Sequence, residues 1–173
     1  MNGKILGGAI VFTALLAGAA LYYLQVYHFY EEVSAEAAPV RLTLLDGSTE
    51  EILADNLRAI DAGSSPIRFR ACFETPESIG MLTETYVVYP EAEPLNAPGW
   101  FDCFDAPALG AALGRGDAVA FLGEANVIYG IDRVVAIGLD GRGYAWHQIN
   151  RCGEEVFDGN PPPEGCPPPP ARD

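Results

Sequence analysis

Ile5 to Leu24, with the sequence ILGGAIVFTALLAGAALYYL, decides how this chain is organised. These 20 residues carry no charge. At about 1.5 Å of rise per residue they form about 30 Å of helix, which matches the hydrocarbon thickness of a bilayer. We therefore expect residues 1–30 to form a single-span membrane anchor, with the rest of the chain folding outside the bilayer.

A second interpretation of this segment is a cleaved signal peptide. Lys4 precedes the apolar run, and Ala17-Gly18-Ala19 satisfies the small-x-small rule for cleavage. Cleavage would leave an exposed aromatic stretch at the new terminus, whereas in an uncut anchor the same rings lie at the membrane interface, where they are favoured. The interface residues that we predict are Tyr22, Tyr23, Tyr27 and Tyr30. We favour the uncut anchor, and cleavage stays open.

The charges around the span predict its orientation. Lys4 precedes the span, and Glu31, Glu32 and Glu36 follow it. This pattern favours an amino terminus inside and a folded domain outside. We therefore expect a protein of the inner (cytoplasmic) membrane whose carboxyl-terminal domain lies in the periplasm.

The cysteines agree with an oxidising compartment. The chain has four, an even number: Cys72, Cys103, Cys152 and Cys166. In such a compartment this count predicts two disulfides. Three pairings are possible, and chain proximity favours Cys72–Cys103 and Cys152–Cys166. The second of these would fasten the proline-rich tail to the domain.

Small residues form a stripe along the predicted anchor. They recur at spacings of four, seven and four, with a valine filling the long gap, and a stripe of this kind lets another membrane helix approach closely. The residues are Gly3, Gly7, Val11, Ala14 and Gly18. Packing against a partner helix is one interpretation, and the general use of alanine and glycine in anchors is the other.

The charge of the chain limits its partners. It contains 24 acidic and 10 basic residues, which gives a net charge of −14. Lys4 is the only lysine, so nine arginines face all 24 acids after the anchor, a difference of −15. Nucleic-acid binding needs clustered basic residues and is not expected. A basic extracytoplasmic protein or a cation is the partner that this field favours. The other interpretation, which we favour, is that the acidic charge only keeps the domain soluble.

The rest of the sequence predicts an α+β domain with a mainly antiparallel sheet and one or two short helices. We expect a polar linker over residues 31–39, the domain over 40–158 and a proline-rich tail over 159–173. The clearest hairpin spans 132–149, because Asp140-Gly141 supplies the positive φ of a tight turn.

The remaining segments follow from local patterns. Strands are predicted at 40–45, 67–73 and 84–89, and the apolar runs 118–122 and 127–129 are further strand candidates. Asp105 is expected to cap a helix that ends near Leu113. Residues 49–60 fit a short helix, although an extended structure competes with it.

No motif identifies a catalytic, cofactor or metal site. The chain lacks C-x-x-C, and the spacing of the possible copper ligands His28, Met81, Cys103 and His147 does not support a site. Arg68 and Arg70 are expected to pair with acids of the chain, the alternative being a carboxylate ligand. Trp100-Phe101 is expected in the core, the alternative being an exposed anchor for a partner.

Several segments resemble a family of uncharacterised small single-span membrane proteins of alphaproteobacteria. They are MNGKILGGAI, LAGAALYYLQVY, SSPIRFRACF, PGWFDCF and DGRGYAWHQINRCG. The resemblance implies a single-span architecture and no known activity. We expect a non-catalytic accessory or assembly subunit of a larger membrane complex. The alternatives are an extracytoplasmic module that binds a small ligand or a metal, and a redox or copper-handling enzyme.

Overall fold

A computed structural model describes residues 2–171 of the chain. Its first element is the apolar helix α1, Gly3–Tyr23, which continues as a π-helical turn over Leu24–His28. The 26 residues from Gly3 to His28 are long and apolar enough to cross a bilayer, and no part of their most apolar window is buried against the protein. The predicted apolar helix is therefore present.

The domain is α+β, as the sequence predicts, and its centre is a six-stranded antiparallel sheet in the order β1-β4-β5-β8-β7-β6. The strands of this sheet are β1 (Glu31–Val33), β4 (Asp55–Asp61), β5 (Arg70–Glu74), β6 (Ala118–Ile128), β7 (Ile131–Gly138) and β8 (Arg142–Ile149). A separate hairpin pairs β2 (Arg41–Thr43) with β3 (Thr49–Glu51). Three short helices complete the domain: α2 (Ile79–Thr85), α3 (Ala106–Arg115) and α4 (Arg151–Phe157).

The sheet is buried on both faces. The hairpin of β2 and β3, together with α2, covers one face through Leu42, Ile52 and Leu82. Phe101, Phe104 and Leu109, from α3 and the loop before it, cover the other face. Side chains on a strand alternate between faces, so a strand covered on both sides reads as a continuous apolar run. Residues 134–137 of β7 form such a run and are completely buried.

The sheet begins directly after the π-helical turn that follows α1. Glu31, Glu32 and Val33 pair with Asp61, Ile60 and Ala59 of β4. Residues 31–39, expected to be a linker, thus start with an edge strand of the sheet. Only Phe29 and Tyr30 separate the π-helical turn from this strand.

Two local predictions are confirmed by their caps and turns. The Asp105 carboxylate accepts a hydrogen bond from the Ala108 amide at 2.9 Å and begins α3, and Gly116 ends it with a φ of 78°. Gly141 has a φ of 80° and turns β7 into β8. Both features depend on local chemistry, which is why the sequence identifies them.

Two other local predictions are wrong. Residues 49–60 contain β3 and β4 instead of a helix, because burial of Ile52, Ala59 and Ile60 in the domain core outweighs a weak helical pattern. Residues 84–89 do not form a strand, because α2 runs to Thr85 and is followed by single β-bridges at Tyr86 and Val88.

The structure pairs the cysteines as chain proximity favours. Cys72 of β5 bonds to Cys103, and Cys152 of α4 bonds to Cys166 in the proline-rich tail. The first bond joins a buried strand to the loop that covers its face. The second holds the tail, which also receives hydrogen bonds at two backbone carbonyls, from Tyr129 to Pro167 and from Arg151 to Glu164.

The two disulfides are expected to differ in their effect on stability. Replacing both Cys72 and Cys103 by serine should lower the melting temperature of the full chain in detergent by about 10 °C, because a buried cross-link 31 residues apart is lost. Replacing Cys152 and Cys166 should cost a few degrees at most, since a freed tail also gains entropy in the folded state. Near-ultraviolet circular dichroism follows both transitions. Equal losses from the two variants would contradict these roles.

Candidate functional site at the joint between helix and sheet

The last turn of the apolar helix is held by side chains of the domain. In an α-helix the last four carbonyl groups have no partner within the helix. Here the π-helical turn closes with the Phe29 amide donating to the Leu24 carbonyl at 3.2 Å. The next two carbonyls accept hydrogen bonds from the domain: Val26 from the Trp100 indole N–H at 2.6 Å, and Gln25 from the Arg68 guanidinium at 3.4 Å.

Tyr30 fills the space between these two donors. Its ring lies edge-on to the Trp100 ring, with 5.9 Å between the centroids. The Arg68 guanidinium carbon lies 5.5 Å from the centroid of the same ring. We call the set Gln25, Val26, Tyr30, Arg68 and Trp100 the joint. Four contacts within this set connect the helix end to residues that are distant along the chain: two hydrogen bonds, one aromatic contact and one cation–π contact.

Arg70 fixes the backbone next to the joint through hydrogen bonds from its side chain. Its side chain is buried, and four of its N–H groups donate to backbone carbonyls: those of Ile67 and Phe69 at 2.8 and 2.7 Å, Leu95 at 2.8 Å and Asn96 at 3.0 Å. Burial lowers the pKa of Arg70 to about 10, against smaller opposing effects of Tyr30 and Asp61. The group is therefore still charged at neutral pH, and it fixes the loop that precedes Trp100.

His147 belongs to a second polar cluster, on the opposite face of the sheet from Arg70. Its Nδ1 lies 2.7 Å from the Pro66 carbonyl, which can only accept a hydrogen bond, so Nδ1 carries the proton. Its Nε2 accepts from the Arg133 Nε at 3.2 Å, which fixes the neutral tautomer. Burial lowers the pKa of His147, and Arg133 contributes in the same direction while the Pro66 carbonyl opposes. Arg133 also pairs with Glu124 at 3.3 Å, so the cluster is structural.

The predicted interface tyrosines have two different environments. Tyr22, Tyr23 and Tyr27 are exposed on the helix, and the Tyr23 and Tyr27 rings stack with centroids 6.0 Å apart. Tyr30 instead turns into the joint. The small-residue stripe of Gly3, Gly7, Val11, Ala14 and Gly18 is exposed along α1. A Cβ atom built at Gly3, Gly7 or Gly18 would meet nothing within 4 Å beyond the helix's own backbone.

One expectation about side chains is wrong, and a second is confirmed in part. Arg68 and Arg70 make no ion pair with an acid in residues 2–171, because backbone carbonyls take the place of carboxylates. Phe101 lies in the core as expected, whereas Trp100 is half-buried at the joint. No sequence signal connects Trp100 with Val26, because 74 positions separate them.

The conceivable copper ligands are not brought together as a site. Cys103 is oxidised in its disulfide, and His147 is held by Pro66 and Arg133. Over the part of the chain that the structure describes, no three His, Cys, Asp or Glu side chains form a group able to hold a metal ion.

Comparison with known proteins places the domain in one family. The model of a family of unknown function, DUF6446, matches residues 40–167. No curated protein and no solved structure matches the chain. The matched range covers β2 through the tail disulfide and includes Arg68 and Trp100 of the joint.

Removing the Trp100 side chain should loosen the joint without unfolding the sheet. In Trp100→Ala, the amides of residues 29–33 should exchange hydrogen about tenfold faster. The substitution removes the hydrogen bond to the Val26 carbonyl and the contact between the Trp100 and Tyr30 rings. Hydrogen–deuterium exchange of the full chain measures this change. Tyr129→Phe is the matched control, since it removes a side-chain bond to the Pro167 carbonyl in the tail. Unchanged exchange at 29–33 in Trp100→Ala would refute the joint.

The His147 cluster predicts a pH dependence of stability. A histidine with a lowered pKa binds fewer protons folded than unfolded, so its contribution is complete above the unfolded pKa of about 6.5 and is lost as pH falls below it. The melting temperature should decrease less steeply between pH 7.5 and 5 in His147→Gln than in the wild type. An unchanged slope in His147→Gln would count against the buried neutral histidine.

Proposed function

We propose a function for this chain, which belongs to the family of unknown function DUF6446, from the way its helix meets its sheet. The protein is a membrane-anchored periplasmic accessory or assembly subunit that docks on a larger membrane complex. The observation that carries the proposal is the joint, which holds a folded domain in one direction relative to an exposed apolar helix.

A protein that only needs to stay at the membrane has no use for such a joint. A flexible linker tethers a domain without the entropic cost of fixing it. Here the Trp100 and Arg68 side chains cap the helix end, and β1 follows after two residues. A fixed arrangement is useful when the helix and the domain contact the same partner, because the second contact then forms at high effective concentration.

The location in the proposal comes from the disulfides and the charges. Two disulfides are typical of an oxidising compartment, so the domain lies on the extracytoplasmic side. Lys4 in the first turn of the helix and Glu31 after the helix then favour an amino terminus in the cytoplasm. A domain with a charge difference of −15 favours a basic surface on the partner.

The helix contributes the membrane part of the contact in this proposal. Each residue of α1 is exposed in the structure, and the small-residue stripe leaves room for a second helix. Close packing through small residues is the usual means of helix association in lipid, where the hydrophobic effect between helices is absent.

Substitution on two neighbouring glycines of α1 tests this proposal. Gly7→Leu fills the stripe, and Gly8→Leu adds the same side chain at nearly the same depth on another face of the helix. After gentle detergent extraction, the wild type and Gly8→Leu should migrate in a high-mass complex on native electrophoresis. Gly7→Leu should shift most of the protein to the monomer. A wild-type monomer under every mild condition would refute the accessory role.

A further inference from the structure

The arginines of this acidic domain are used in two different ways. Within residues 2–171, five of them form ion pairs with carboxylates: Arg41, Arg58, Arg115, Arg133 and Arg142. Arg68 and Arg70 form none, although the chain contains 24 acidic residues. Both lie where the apolar helix meets the sheet. Arg151 of α4 forms no ion pair within this range either, but it lies at the tail, where it donates to the Glu164 carbonyl. At the joint, two arginines without an ion-paired carboxylate lie on one surface.

The two arginines line the same concave surface. It lies between the helix end and the loop of residues 95–98, is open to solvent and has a volume of about 540 Å³. Gln25, Val26 and Tyr30 form its helix side. A volume of this size accommodates a small polar group and a few atoms attached to it.

N–H donors remain available on this surface. A guanidinium has five N–H groups. Arg70 uses four of them on carbonyls, which leaves one on Nη2, and Arg68 uses one on the Gln25 carbonyl at 3.4 Å, a long hydrogen bond. The planar fork of an arginine matches the oxygens of a phosphate group. Arg68, which is half-exposed, is the residue that a phosphate can reach directly.

The position of the concave surface favours a membrane lipid as the source of the phosphate. If α1 spans the bilayer, as the proposed function requires, its last turn at Leu24–His28 lies at the membrane surface. The exposed rings of Tyr22, Tyr23 and Tyr27 mark the same level, because tyrosine prefers the interface. The phosphate groups of lipids lie at this depth, beside Arg68.

We propose that the concave surface lined by Arg68, Arg70 and Tyr30 binds the phosphodiester headgroup of an anionic membrane lipid. Arg68 donates hydrogen bonds to the phosphate oxygens, and the positive charge of the buried Arg70 side chain attracts the phosphate to the same surface. Tyr30 supports Arg68 through its ring. The bound lipid thereby ties the joint to the bilayer surface, while the remainder of the acidic domain is repelled by anionic headgroups.

Lipid retention by the full chain tests this site. The protein in detergent is mixed with equal amounts of phosphatidylglycerol and phosphatidylcholine, and native mass spectrometry measures the lipid retained. The wild type should retain about tenfold more phosphatidylglycerol, as expected for charge-assisted hydrogen bonds. Arg68→Gln should bring the ratio close to one. Arg115→Gln, which removes an exposed arginine paired with Asp117, should keep the wild-type ratio.

The opposite results overturn the site. Equal retention of the two lipids by the wild type, or an unchanged ratio in Arg68→Gln, contradicts headgroup binding at Arg68. Loss of phosphatidylglycerol in the presence of glycerol phosphate at millimolar concentration would mean that the site takes a soluble phosphate, and would also overturn the lipid assignment.

A second measurement separates this inference from the proposed function. Alkaline extraction of membranes reports whether α1 is inserted, and it should leave both the wild type and Arg68→Gln in the membrane fraction. Release of both proteins overturns the anchor and, with it, the lipid site. Retention of both with equal lipid ratios overturns only the lipid site, and native electrophoresis of Gly7→Leu tests the accessory role independently.

Discussion

The carbonyl groups at the end of a helix need hydrogen-bond partners, and in this protein the domain supplies them. Trp100 and Arg68 donate to Val26 and Gln25, and the chain enters β1 two residues after the turn. The helix end therefore determines where the edge strand of the sheet begins. The loop before α3 must then stay close to the helix, and hydrogen bonds from the buried Arg70 side chain to the Leu95 and Asn96 carbonyls hold it there. In a helix followed by a flexible linker, the last carbonyl groups would be hydrated. Here the Gln25 and Val26 carbonyls bind to the domain instead and hold it in one orientation relative to the helix.

The arginines at the joint have different partners from the arginines in the rest of the domain. Away from the joint, five arginines pair with acids, at the surface or, like Arg133, beside a buried histidine, and Arg151 donates to a carbonyl of the tail. Exposed pairs of this kind contribute little to stability, so their value lies in solubility and in the choice of partner. At the joint, Arg68 and Arg70 contact carbonyls and aromatic rings instead, so these two arginines have no ion-paired carboxylate among residues 2–171 of an acidic protein. The proposed docking of a basic partner and the proposed lipid contact thus use different parts of one surface.

Local chemistry explains which features the sequence predicts. The apolar helix, the Asp105 cap, the turn at Gly141 and the α+β class each follow from a short pattern. The helix α4 is not predicted, because it contains Gly153, a poor helix former that is needed where α4 approaches Gly130. The joint is not predicted either, since it depends on contacts across 74 and 43 positions that no local pattern encodes. The same limit applies to Arg68 and Arg70, whose carbonyl partners become visible only in the fold.

We expect the helix and the domain to move as one rigid unit, which the distribution of distances between a label on each can measure. Spin labels on unnatural amino acids at Leu15 and Leu139, both exposed, avoid the disulfide cysteines. Double electron–electron resonance of the full chain in lipid nanodiscs should give a single narrow distance distribution, which broadens in Trp100→Ala. A broad distribution in the wild type, unaffected by Trp100→Ala, would show that the domain moves freely relative to the helix and would contradict a rigid joint.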